Sequence, residues 1–276
     1  MTISRWFGRV AVVTGTRMSI SRWSGRVAVV TGASAGIGAA TAIELARNGL
    51  ITIGLARRVE KVEELRSQLT PEQQQNFHAM KCDVSVESEI IQVFDEIVNK
   101  FGGVDVLINN AAVVTQKKLI DFDNSSEVQK LINTNLLGAI NCTREVVKSL
   151  RERNAEGHII HINSVYGHFM PYYPDRPTVG IYTTSKFALT AMAEQQRQEF
   201  MSENLNIKVT SLSPGLVETE IMQTIQGMTK EMIEGFYEMT PHMESKDIAD
   251  AIIYLLSTPQ HVLITELTIR PMNGIF

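Results

Sequence analysis

Val27-Ala28-Val29-Val30-Thr31-Gly32-Ala33-Ser34-Ala35-Gly36-Ile37-Gly38, residues 27–38, decides how the rest of the chain is read. Its first four residues form an apolar, valine-rich run of the kind that is buried on both faces of a parallel sheet. Three glycines then break the run, and a helix-forming stretch follows to Asn48, with Gly49 placed to end it as a C′ residue. Glycines in a strand-to-helix turn let the backbone approach a pyrophosphate closely. The helix N-terminus then offers free N–H groups and the positive end of its dipole. Ser34 and Ile37, interleaved with Gly32, Gly36 and Gly38, complete a candidate phosphate cradle. Taken alone, such a loop is also compatible with a tight turn that holds no ligand.

Outward from this stretch, strand-like and helix-like segments alternate. Extended segments are expected over 50–56, 77–81, 104–108, 157–162, 207–212 and 262–269. Between them helices are expected over 59–69, 85–101, 126–153, 182–204 and 246–257. Alternation of this kind predicts an α/β fold: one doubly wound Rossmann-type domain with a mostly parallel sheet of about seven strands. The 276-residue length agrees with one large unit, and no low-complexity tract divides it. One feature stands outside the pattern: residues 1–17 nearly duplicate 18–34 but stop before the glycines, which predicts a peripheral segment ahead of a single domain over 18–276.

Composition excludes several function classes. With 44% hydrophobic and 20% charged residues the chain is globular rather than disordered, and its net charge of −4 provides no basic field for nucleic acid. Two cysteines and six scattered histidines give neither a disulfide framework nor metal-ligand spacing. No apolar run of about 18 residues is present to span a bilayer, and a cytoplasmic location is expected.

About 20 residues past a dinucleotide loop, an acid commonly reads the adenosine ribose hydroxyl, or an arginine accommodates a 2′-phosphate. Here the residues are Arg57 and Arg58, with no acid, so NADP(H) is expected over NAD(H), because guanidinium pairs with phosphate where a carboxylate would repel it. Two solvated arginines at a strand end are the plainer alternative. Asp83, with Val84 beside it, follows the third strand and is placed to accept from an adenine amino group.

Taken together these motifs resemble the classical short-chain dehydrogenases/reductases, over essentially Gly25 to Ile269. Gly32, Gly36 and Gly38 match that family's Gly-x-x-x-Gly-x-Gly loop. Asn109-Asn110-Ala111-Ala112 matches its Asn-Asn-Ala-Gly strand end, with Ala112 replacing the glycine. The resemblance implies a catalytic set of Asn135, Ser164, Tyr182 and Lys186, and cofactor contacts at Asn110, Ala111, Pro214, Gly215, Val217 and Thr219 as well. Asn163 stands where the family more often has serine. In Tyr182-Thr183-Thr184-Ser185-Lys186 the phenol and ammonium lie at i and i+4 on one helix face, where the cation is expected to lower the phenol's pKa and make it a proton carrier. Tyr182 would exchange a proton with the substrate oxygen, Lys186 would also hold the nicotinamide ribose, Ser164 would polarise that oxygen, and Asn135 would support a water-linked relay.

The methionine-rich stretch from Ile221 to Met243 can mould itself over an irregular apolar ligand or can be ordinary core, and the His168–Pro177 link is expected to wall the pocket. These loops are most similar to a subgroup of the family acting on terpenoid alcohols, steroids and other carbonyls. The expected function is therefore NADP-dependent interconversion of a lipophilic alcohol and its carbonyl, with a catalytically silent dinucleotide sensor or a reductase of another carbonyl as alternatives. The resemblance also implies a homodimer or homotetramer built on the helices over 126–153 and 182–204.

Overall fold

The computed structural model describes residues 18–170, 179–225 and 227–274. The near-copy at residues 1–17, and Pro171 to Pro177 of the link before Tyr182, lie outside the described residues. Seven strands form one sheet in the order β3-β2-β1-β4-β5-β6-β7: β1 (Val27–Thr31), β2 (Ile51–Ala56), β3 (Phe77–Lys81), β4 (Val106–Asn109), β5 (Gly157–Ile162), β6 (Ile207–Pro214) and β7 (Glu266–Ile269). Every pairing is parallel. A parallel sheet needs crossover helices on both faces, which is why its strands read as continuous apolar runs.

Side chains alternate along β1 and feed two cores. Ala28 and Val30 join Ala42, Leu45 and Ala46 of α1 (Gly36–Arg47) and Ile248, Ile252 and Leu255 of α9 (Ser245–Ser257). Val27 and Val29 point the other way, towards Ile90, Phe94 and Ile97 of α4 (Glu87–Phe101), Val146 of α6 (Gly138–Arg153) and Phe200 of α7 (Gly180–Ser202). Trp23 is fully buried against the first core and donates from Nε1 to the Leu256 carbonyl at 2.9 Å, so its one polar atom is satisfied inside.

Three expected elements differ in detail, and further helices appear. The helix over 59–69 divides into α2 (Val59–Glu64) and a 3-10 turn at Leu65–Gln68, and Pro71 then opens a further short helix, α3 (Pro71–Gln74), through a Thr70/Gln73 capping box. The long helix over 126–153 comprises α5 (Ser125–Ile132) and α6, joined by a π-helical turn at Asn133–Leu137. Of the extended run over 262–269, only Glu266–Ile269 pairs with β6. The methionine-rich stretch contains a helix, α8 (Lys230–Met239), capped by Thr229.

In this strand order the chain reverses direction across the sheet between β1 and β4. The crevice beyond the carboxyl ends of those two strands is where open α/β sheets hold ligands.

Candidate active site

The glycine loop leaves β1 into that crevice. Gly32 and Gly36 have φ of +66° and +56°, conformations that side chains rarely adopt. Gly38 has a different constraint: a Cβ there would fall onto the Gly32 carbonyl and 2.5 Å from Asn110 Nδ2. Without it, the Asn110 amide donates to the carbonyls of Thr31 at 2.9 Å and Gly32 at 3.2 Å. The Thr31 hydroxyl accepts from the Asn110 and Ala111 amides at 3.0 Å each, so the ends of β1 and β4 are tied together. The N-cap of α1 is Ala35, which makes no side-chain cap, and the first N–H groups of a 12-residue helix therefore face the groove uncapped. That is the donor set a pyrophosphate needs.

At the far end of the groove the Arg58 guanidinium donates to Ser34 Oγ at 3.2 Å and pairs with Glu220 at 2.7 Å. Arg57 lies 3.9 Å from Asp83, whose other oxygen accepts from the Ser85 amide and hydroxyl. Both arginines and Asp83 and Val84 line the cavity. Cys82 lines it too, but as a buried thiol whose pKa desolvation raises to about 12.

Ser164, Tyr182 and Lys186 meet on one wall. Ser164 caps a short turn, its Oγ accepting from the Tyr166 amide at 3.1 Å, and its hydroxyl also hydrogen-bonds to the Tyr182 phenol. Lys186 Nζ lies 5.5 Å from the centre of the Tyr182 ring and donates to the Ile162 carbonyl at 2.7 Å. Burial raises the phenol to about 12, with the Ser164 contact pulling weakly the other way. Burial alone brings the ammonium down to about 7. The expected lowering of the phenol by the cation is thus not what this structure has. Desolvation wins, because Lys186 itself approaches neutrality near pH 7 and its donor is directed at a backbone carbonyl.

Asn135 sits inside the π-helical turn. Its Oδ1 accepts from the Val113 amide at 2.8 Å, and its Nδ2 donates to the Val113 carbonyl at 3.0 Å and to Ser185 Oγ at 3.2 Å. The amide therefore pins the loop after β4 to the helix carrying Tyr182. Single wide turns of this kind occur frequently at functional sites.

Val217 and Thr219 line the cavity after β6, together with Pro214 and Gly215. The Thr219 hydroxyl accepts from the Ile221 amide at 3.4 Å, capping the next turn. Opposite them stand Met222, Met228, Met232, Phe236 and Met239, so the methionine-rich stretch faces the cavity, whose volume is about 1170 Å³. His168, by contrast, turns away: its Nε2 lies 2.9 Å from Ser213 Oγ and 3.2 Å from Glu266, and the cavity wall next to it is made by Tyr166 and Val179. Ala112, where a glycine was expected, lines the cavity without a positive φ, so its methyl brings no backbone strain.

Three sets of contacts escaped the sequence reading. Glu220 pairs with Arg58 from 162 residues away, and Tyr237 bonds backward to residues 217 and 219. A buried chain links Asn109, His161 and Gln196, with His161 held to about 4 by desolvation and hence neutral. Only Tyr237 left a local signal, as part of a helical period with Ile233 behind a Thr229 cap.

Comparison with known proteins follows the same lines. A family model described as short chain dehydrogenase matches residues 26–230. Farnesol dehydrogenase of Aedes aegypti is 45% identical over 274 residues, covering 99% of this chain and 100% of that protein. Dehydrogenase/reductase SDR family member 11 of Gallus gallus is 38% identical, covering 99% and 100% respectively. Among solved structures, the closed form of serine dehydrogenase complexed with NADP+ superposes with a TM-score of 0.80 at 26% identity, over 91% of this chain and 96% of that one. An alcohol dehydrogenase from the archaeon Thermococcus sibiricus complexed with 5-hydroxy-NADP gives 0.72 at 29%, over 89% and 96%.

Proposed function

Because the chain belongs to the short-chain dehydrogenase family, we propose that it is an NADP(H)-dependent oxidoreductase interconverting a lipophilic alcohol and its carbonyl compound. The observation that carries this reading is the convergence of Ser164, Tyr182 and Lys186 on one wall of a cavity whose other end is the glycine loop. The dinucleotide, when bound, supplies or accepts the hydride. Gly32, Ser34, Gly36, Ile37 and Gly38 would hold its pyrophosphate, Arg57 and Arg58 its 2′-phosphate, and Asp83 and Val84 its adenine. Asn110, Ala111, Lys186, Pro214, Gly215, Val217 and Thr219 would hold its nicotinamide half.

The chain's own residues handle the proton. With its phenol raised to about 12, Tyr182 is protonated at neutral pH and is ready to donate to a carbonyl oxygen, which suits reduction. Ser164, bonded to the same phenol, orients that oxygen. In the oxidative direction Tyr182 must first lose its proton, so oxidation is favoured by alkaline pH. Lys186 Nζ lies 5.5 Å from the centre of that ring, and Asn135 fixes the geometry between the two walls. The methionine and phenylalanine side chains of the stretch after Thr219 favour an apolar substrate body. The farnesol dehydrogenase relative supports a terpenoid alcohol, with a steroid as the neighbouring possibility.

The test is NADPH or NADP+ turnover against farnesal, farnesol and a small ketone panel, with Tyr182→Phe alongside. Loss of turnover by about a thousandfold or more, with NADPH binding kept within roughly threefold, is the expected result. Full activity in that variant would remove the phenol from the mechanism, and cofactor binding without any turnover by the parent would make the chain a dinucleotide sensor instead. We further propose a cytoplasmic homodimer, or a tetramer of such pairs, closed through the outward faces of α5–α6 and α7, where Leu137 and Phe187 are exposed. Sedimentation of Leu137→Glu is expected to give the smaller species.

A further inference from the structure

The arm between β6 and α9 is closed at its root by main chain. The Glu218 amide donates to the Met243 carbonyl at 2.9 Å and the Met243 amide to the Leu216 carbonyl at 3.0 Å, with Val217 and Met243 forming a single parallel bridge. Beyond the root, α8 turns Met232, Phe236 and Met239 to the cavity and buries only Ile233 and Tyr237. The Tyr237 phenol does not simply pack. It donates to the Val217 carbonyl at 3.2 Å and accepts from the Thr219 amide at 3.4 Å. Its ring is held edge-on by Phe236 at 5.6 Å and His242 at 5.2 Å. Burial raises its pKa, so it remains a hydroxyl donor across the neutral range. A phenylalanine would fill the same space, so the hydroxyl is used for the two backbone bonds.

Those two backbone groups belong to the residues assigned above to the nicotinamide half of the cofactor, while the helix that delivers the phenol forms the wall assigned to the substrate. Phe236 on the substrate wall packs against Tyr237, so a single side chain stands between a substrate there and the loop at 217–219. We propose that Tyr237 is a positioning residue that couples filling of the substrate cavity beneath α8 to the placement of the cofactor-facing Val217–Thr219 loop. The coupling is reciprocal, because each ligand must change the other's affinity by the same factor. The exposed Arg58–Glu220 pair, where the arm begins, adds a second and weaker tie on the cofactor side. This proposal rests on the reading of the cavity as a cofactor and substrate pocket.

Reduced cofactor and alcohol cannot react with each other, so NADPH and farnesol form a dead-end pair whose binding is read without turnover. NADPH fluorescence titrations of the full chain, with and without saturating farnesol, are expected to differ in Kd by at least about fivefold, the low end of typical coupling. Tyr237→Phe should bring that ratio to within about twofold of unity while NADPH alone still binds, and Glu238→Ala, on the exposed side of the same helix, should keep the parent ratio. An unchanged ratio in Tyr237→Phe overturns the proposal, as does a parent chain that binds both ligands with no coupling. A parent chain that binds no NADPH overturns the cofactor reading itself. Should the variant not fold, hydrogen exchange in the parent decides: farnesol slows exchange at the Thr219 amide, or leaves it unchanged and the phenol's role falls.

Discussion

Lys186 is under two opposed demands. Its amine is needed beside the phenol, yet the site desolvates it enough to bring its pKa to about 7. Between about pH 10.5 and 7 the unfolded chain binds this proton more readily than the folded one, so the penalty of burying the amine grows as pH falls and is complete below 7. Lys186→Met is accordingly expected to raise Tm by roughly 5 °C at pH 6, where a domain of this size gains about 2–4 °C per kcal/mol, and to abolish turnover. At pH 10 the gain should vanish, since the amine is then largely neutral and the Ile162 carbonyl has lost its donor. Thermal melts at the two pH values check the sign. At the adenosine end, Arg57→Asp should weaken NADPH by about 10–100-fold and NADH by much less, the scale of a lost charge-assisted contact made repulsive. Equal losses in fluorescence titrations would leave Arg57 as a solvated partner of Asp83. These groups stood out in the sequence, Arg57 through its spacing from the glycine loop and Lys186 through the resemblance to a family signature. Their ionisation did not, because desolvation depends on which side chains from distant segments close over the site, and spacing of four on a helix says nothing of that.

The π-helical turn at Asn133–Leu137 shows what an element can conceal. Its sequence reads as uninterrupted helix from Ser126 to Arg153, and only the structure shows that the wider turn sets the Asn135 amide against both backbone groups of Val113. Removing that amide leaves two half-buried backbone groups of Val113 without their side-chain partner, so Asn135→Ala is expected to lower kcat/KM by about 10–100-fold and stability by about 1 kcal/mol. Asn135→Asp, which keeps the acceptor for the Val113 amide and loses the donor, should fall between. Steady-state kinetics with denaturant unfolding of both variants measures the two effects separately. Elements with a strong local signal, whether the unbroken burial of β1 and β5 or the amphipathic period of α4, were readable to within a residue or two. By contrast α8 was passed over in favour of composition, although Thr229 and the period of Met232, Phe236 and Met239 pointed to a helix. Pairings such as Arg58 with Glu220 depend on how the arm returns to the sheet, and no local pattern encodes that return.

Across the whole molecule the two ends of the sheet have separate duties. The cavity opens at the carboxyl ends of the strands, whereas at the amino end the buried Asp105 accepts from the Val27 amide at 2.9 Å and pairs with Arg153 at 2.8 Å and Arg26 at 3.4 Å. Asp105→Ala would leave the buried Val27 amide without its acceptor, while the part-exposed Arg26 and Arg153 can turn to solvent, and is expected to cost about 1–3 kcal/mol of stability. The activity per folded molecule should be unchanged, which urea unfolding together with active-site titration would verify. The fold class was legible because a parallel sheet writes its burial into its central strands. The division of labour between its ends was not, since Asp105 carries no motif.

The bridge between Val217 and Met243 brings the two ends of the arm side by side. A segment whose ends already meet can be exchanged for one of another length at little entropic cost to the scaffold. The stretch from Glu220 to His242 is in that sense a cassette: Asn135, Ser164, Tyr182 and Lys186 all lie outside it, and a new specificity can be grafted in one piece.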